Sequence, residues 1–206
     1  LANALLARAS HDPTHPMPVV FNLSTWALKR QPLAEWLTEE LNARYQMPKD
    51  DGRVWVAKGQ VLPLLDGLDE VAPDHRGACI GAINTYLQQR GQIPLIIGSR
   101  VAEYIAQSTK LLARRAVIAQ QLSDQQVHEY LEKADGHFES IQELLRADSG
   151  FREFARNPLM LSILKQTYQG KTVQLARSDS LEEQRRQIFS DYVEHMLQRQ
   201  IGRAHV

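Results

Sequence analysis

Three carboxylates crowd the end of one apolar run, where Val61-Leu62-Pro63-Leu64-Leu65 leads straight into Asp66-Gly67-Leu68-Asp69-Glu70. The run has the length and composition of a buried strand, and ligands sit at the carboxyl edge of an open α/β sheet. Acids at that edge suit the holding of Mg²⁺ beside a nucleotide's phosphates. In that chemistry Asp66 is the metal ligand, usually through water, while Asp69 and Glu70 polarise the attacking water. Two other uses stay open. The turn can be a solvated strand-to-helix connection whose acids cap the next helix, or Asp66 can be the nucleophile of an Mg²⁺-dependent phosphohydrolase.

A second candidate follows the next apolar run. Leu95-Ile96-Ile97 ends in Gly98-Ser99-Arg100, about thirty residues beyond the acids, which is room for one helix and one strand. That spacing brings Arg100 toward the same sheet edge, where a fixed guanidinium can contact a γ-phosphate; pairing with a nearby surface acid is the structural alternative. Other residues point to no chemistry. His11 and His15 have i, i+4 spacing, but Pro13 and Pro16 break any helix there and no third ligand accompanies them. Cys79 falls on the apolar face of a helix and reads as an inert core thiol. Neither a Gly-x-Ser-x-Gly elbow nor a Cys/His nucleophile pair is present.

The elements that must position these groups alternate strand and helix. Val19 to Leu23 is a β-branched and aromatic run, hence a strand. A helix is expected from Leu33 to Tyr45, with Pro32 placed near its first turn. The strand Val61 to Leu65 is followed by a helix from Asp74 to Arg90 that Gly91 stops. Ile93 to Ile97 is the next strand and Ala116 to Ala119 the last. This alternation predicts βαβ units and a mainly parallel sheet over residues 1–120.

From Ser123 the pattern becomes helical, opening on a capping-box-like Ser123-Asp124-Gln125-Gln126. Three or four short helices follow, broken at Gly136, Gly150 and Gly170, and make a small helical domain over 121–170. Residues 171–206 read as a polar linker and a final amphipathic helix from about Leu181 to Gln200. Leu1 to Ala9 reads as the rear half of a helix already under way, without a cap.

Composition narrows the function class. The 206 residues carry 24 Lys plus Arg and 24 Asp plus Glu, so the net charge gives no sign of a polyanionic partner. One cysteine forms no internal disulfide, and no apolar run approaches the roughly 20 residues needed to span a bilayer. A cytoplasmic location, with no membrane and no direct nucleic-acid contact, is the expectation.

The Asp66-Gly67-Leu68-Asp69-Glu70 run resembles the Walker B segment of the NACHT family of signalling NTPases, within the STAND class, and Ser99-Arg100 after an apolar strand resembles its sensor 1. Asn157-Pro158-Leu159-Met160-Leu161, preceded by Phe151 and Phe154, is similar to the start of the family's first helical domain. The three motifs occur in the family's order, and the likeness runs from about Val19 to about Tyr168. The helix from Gln184 to Arg199 resembles the family's lead into a winged-helix domain that this sequence lacks.

The resemblance implies a P-loop NTPase-like fold with Mg²⁺ at Asp66, and it makes Pro158 the adenine contact. A proline at a first helical turn also has a purely structural use. The implied activity is a slow, regulatory ATP/ADP switch, with GTP the lesser nucleotide. ADP holds a closed state, exchange opens it, copies self-associate, and hydrolysis resets it. Unknown sensor and effector domains complete such proteins, and bacterial defence signalling is the implied setting. The alternative is a non-catalytic interaction scaffold that keeps the fold.

One departure is plain, since the family's glycine-rich loop ending Gly-Lys-Ser/Thr has no counterpart here. Gly170-Lys171-Thr172 imitates its last three residues but lies after the helical domain and follows no strand. The expectation is a chain that starts just past the loop, lacks the first strand too, and binds nucleotide weakly by itself.

Overall fold

The acidic run ends the middle strand of a parallel sheet. In the computed structural model, which describes residues 1–91, 93–134, 138–169 and 181–203, β1 (Met17–Asn22), β2 (Val61–Asp66) and β3 (Ile96–Ile97) lie in the order β1-β2-β3. Val61 to Leu65 are all buried. That unbroken apolar run is what a parallel strand covered on both faces needs. The chain divides into two compact units, Leu1–Ile118 and Ala119–Val206.

In the first unit the helices are α1 (Ala2–His11), α2 (Leu23–Lys29), α3 (Leu33–Tyr45), α4 (Lys49–Ala57), α5 (Pro73–Arg90) and α6 (Val101–Ile105). Asn22 closes β1 and starts α2, because its side chain accepts the Ser24 N–H at 2.8 Å. α3 has the expected bounds and buries Trp36, Leu37 and Leu41, with the Trp36 ring 5.7 Å from that of Phe21 on β1. α4 shows no helical period in the sequence, because its apolar residues Val54-Trp55-Val56-Ala57 are consecutive; of its nine residues Gly52 and Val56 are buried. α5 runs to Arg90 and ends at Gly91, whose φ of +67° an L side chain rarely adopts. Cys79, Ile80 and Ile83 on α5 are completely buried. Burial pushes the Cys79 thiol up to about 12.

Two strand expectations are corrected. The third strand is Ile96–Ile97 alone, because only these two residues pair with β2, at Leu64 and Leu65. Ala116 to Ala119 is irregular, with Val117 and Ile118 exposed. β propensity alone forms no strand where no neighbour pairs with it.

The second unit is helical: α7 (Asp124–Glu132), α8 (Glu139–Ala147), α9 (Ser149–Ala155), α10 (Pro158–Tyr168) and α11 (Leu181–Arg203). The capping box at Ser123 forms, each partner bonding the other's backbone N–H. Asp148 caps α9 and Asn157 caps α10. Phe151, Phe154, Leu161, Leu164, Tyr168 and Ile188 share one apolar core, so α11 packs within this unit. The predicted breaks at Gly136 and Gly170 and the motif Gly170-Lys171-Thr172 lie outside the described residues. Among the described residues no helix is long and apolar enough to cross a membrane.

Candidate functional site

β-sheet register assembles the candidate residues of the first unit. Asn22 lies opposite Asp66 across β1 and β2, and Leu65 lies opposite Ile97 across β2 and β3. The tip of β2 and the segment Gly98-Ser99-Arg100 therefore leave the sheet side by side. Two backbone bonds join them: Gly98 N–H donates to Leu65 O at 2.8 Å, and Leu68 N–H donates to Gly98 O at 3.1 Å.

Asp66 is exposed at this edge, with Oδ1 accepting the Gly67 N–H at 3.0 Å. A Cβ at Gly98 would stand 2.7 Å from the same oxygen, so the missing side chain there makes room for the carboxylate. Gly67 turns the chain at φ +74° into a 3₁₀ turn over Leu68–Glu70. Leu68 is fully buried and anchors that turn. Glu70 is exposed and accepts from Asn22 Nδ2 at 3.4 Å, a long bond across the edge.

Asp69 faces inward, and Arg100 meets it twice. The Arg100 N–H donates to Oδ1 at 3.1 Å, and its Nε lies 3.2 Å from Oδ2. Arg100 thus shares the sheet edge with the acids, as the spacing predicts, and its guanidinium is engaged with one of them. The helix-capping alternative for the acids does not hold. α5 starts from Ala72 without a side-chain cap, and Pro73 fills its first turn.

Behind the turn lies Arg76, which sequence reasoning missed. It is 5% exposed, donates from Nη2 to Asp69 O at 2.6 Å and Val71 O at 3.1 Å, and pairs through Nη1 with Glu103 at 3.1 Å. Its position was readable: Arg76 sits at helical spacing from Cys79, Ile80 and Ile83, and a cation on an apolar face must find internal partners. Asn22 and Gly98, which shape the edge around Glu70 and Asp66, left weaker signals as a polar strand end and a glycine after a strand.

Pro158 opens α10 of the second unit at its first position and is exposed. Asn157 Oδ1 accepts the N–H groups of Leu159 and Met160, so the Asn-Pro pair has a structural use as a helix start. His15 pairs with Asp12 at 3.0 Å, and His11 Nδ1 contacts Ala7 O at 2.7 Å.

Among the described residues no group of three or more His, Cys, Asp or Glu side chains is arranged to hold a metal ion by itself. Mg²⁺ asks for less, because it keeps several waters and takes one or two carboxylates together with substrate phosphates. Asp66 fits that demand: it is exposed, and its Oδ1 is oriented by the Gly67 N–H and seated against Gly98, where no side chain displaces it.

No family model, no curated protein and no solved structure matches this chain.

Proposed function

We propose that this chain is the nucleotide-binding module of a NACHT-type signalling NTPase that binds ATP, or less readily GTP, with Mg²⁺ and hydrolyses it slowly to switch conformation and self-associate. One observation carries the reading: an exposed Asp66 at the tip of the middle parallel strand, beside an Asp69 and Arg100 brought to the same edge from two segments. Bound Mg²⁺ would neutralise charge on the phosphates in such a site. Asp66 would hold it. Glu70, exposed beside it, orients the attacking water, and Arg100 exchanges Asp69 for the γ-phosphate. Bacterial defence or signalling in the cytoplasm is the setting this reading carries, with sensor and effector domains of unstated kind.

The reading needs a phosphate-binding loop that these 206 residues do not contain, so its test belongs to the protein at its natural length. ATP turnover should require Mg²⁺, fall at least tenfold in Glu70→Gln, and leave no acid-stable phosphate on the chain. A covalent aspartyl-phosphate would favour Asp66 as nucleophile instead.

A specific observation favours the scaffold as the second reading. Phe189, Val193 and Leu197 stand at i, i+4 and i+8 on α11 and are 42%, 54% and 54% exposed, an apolar stripe of the kind that helical partners cover.

A further inference from the structure

We infer that Arg76 is the positioning residue of this edge, a buried strut that sets the acidic turn against the segment bearing Arg100. The inference rests on the proposed nucleotide site for its consequence, and on geometry for itself. The two Nη atoms of Arg76 reach in different directions. Nη2 grips the main chain of the turn at Asp69 O and Val71 O, and Nη1 holds Glu103, one helical turn beyond Arg100. Arg100 in turn is bonded to Asp69. Arg76, Asp69, Arg100 and Glu103, the last two joined by the main chain, close a ring in which Asp69 is held from behind by its carbonyl and from the front by its carboxylate.

A planar guanidinium suits this post because its fork fixes two directions at once, which an ammonium does not. Burial strengthens each bond and makes the loss of any partner felt, since the cation has no water to turn to. The carboxylate that balances it, Glu103, is 49% exposed on its side chain. The brace is therefore adjustable from the surface. A change at Glu103, outside the turn, reaches Asp69 and Glu70 through Arg76.

The test uses the protein at its natural length with Glu103→Gln, a surface change compatible with folding, and Arg76→Lys. Amide hydrogen exchange is read at Leu68, Glu70 and Arg100, whose N–H groups are bonded to Gly98 O, Gly67 O and Asp69 Oδ1, and ADP affinity is measured with and without Mg²⁺. In Glu103→Gln we expect exchange at these three amides to rise tenfold or more while those of Leu64 and Leu65 stay within twofold. The Mg²⁺-dependent part of ADP affinity should fall at least tenfold, with Mg²⁺-free affinity within twofold of native. Arg76→Lys should show the same pattern. Unchanged exchange at the turn in Glu103→Gln, or an equal rise through all of β2, overturns the strut, as does native behaviour of Arg76→Lys. Absence of Mg²⁺–ADP binding in the native protein would instead defeat the nucleotide reading and leave exchange to decide on Arg76.

Discussion

The guanidinium of Arg100 lies 3.2 Å from a carboxylate of Asp69 that is itself 13% exposed, while the arginine side chain is 83% exposed. The pair is thus anchored at one end and solvated at the other. An exposed cation contributes about 0–1 kcal/mol to such a bridge. The Arg100 N–H bond to the same carboxylate is worth more, about 1.5–3 kcal/mol, as a bond to a charged group. Urea unfolding should therefore find Arg100→Ala destabilised by less than about 1 kcal/mol and Asp69→Ala by about 1–3 kcal/mol. Equal costs would mean that the side-chain bridge, not the backbone bond, holds the segment.

Glycines on either side of Asp66 should respond differently to alanine. At Gly67 the φ of +74° adds backbone strain of about 1–2 kcal/mol, and the new methyl would lie 2.8 Å from Glu70 Oε2. At Gly98 the clash is with the end of the exposed Asp66 side chain, which can swing away. Gly98→Ala should keep its melting temperature within a few degrees yet lose Mg²⁺-dependent nucleotide affinity, whereas Gly67→Ala should lose both. A Gly98→Ala variant that melts as low as Gly67→Ala would show that the Asp66 side chain is not free to yield.

The thiol of Cys79 should be silent in the folded protein. It is completely buried, and burial raises it to about 12, so the thiolate is scarce at pH 8. Timed alkylation at pH 8 should show no labelling of native protein and full labelling in denaturant. Rapid native labelling would mean that α5 opens from the sheet.

A pH effect follows from Tyr168, whose hydroxyl donates to Asp191 across α10 and α11. Burial, followed by the bond to Asp191 and its charge, raises the phenol above its ordinary 10.0. The folded state thus keeps the proton longer than the unfolded state does. The stabilisation is fully present below pH 10 and is lost as pH rises through the higher folded value. Unfolding followed from pH 8 to 11 should show a decline in the second unit that Tyr168→Phe makes shallower; an identical decline in the variant would assign it to other groups.

Much of this edge was legible in the sequence because it is built from runs. Leu64-Leu65-Asp66 needed only a strand to bring its acid to a tip, and the Gly98-Ser99-Arg100 segment needed only the next strand to bring it alongside. The capping box at Ser123 and the first-turn proline at 158 are equally local. What stayed hidden depends on partners far apart in the chain. Arg76 joins Asp69, Val71 and Glu103, which no window of sequence shows together. The expected strand at 116–119 failed for the same reason, since its residues have the composition but no described strand beside them. α4 displayed no period because its apolar residues, Val54 to Ala57, are consecutive.

Asp66 as the holder of Mg²⁺ for a bound nucleotide is open to a direct test. Calorimetric titration of the protein at its natural length with ATP and ADP, with and without Mg²⁺, compares the native chain with Asp66→Asn. Native protein should bind tightly, and the Mg²⁺-dependent part of that binding should fall at least tenfold in Asp66→Asn. Native protein that binds neither nucleotide, or an Asp66→Asn variant whose Mg²⁺ dependence is unchanged, would contradict it.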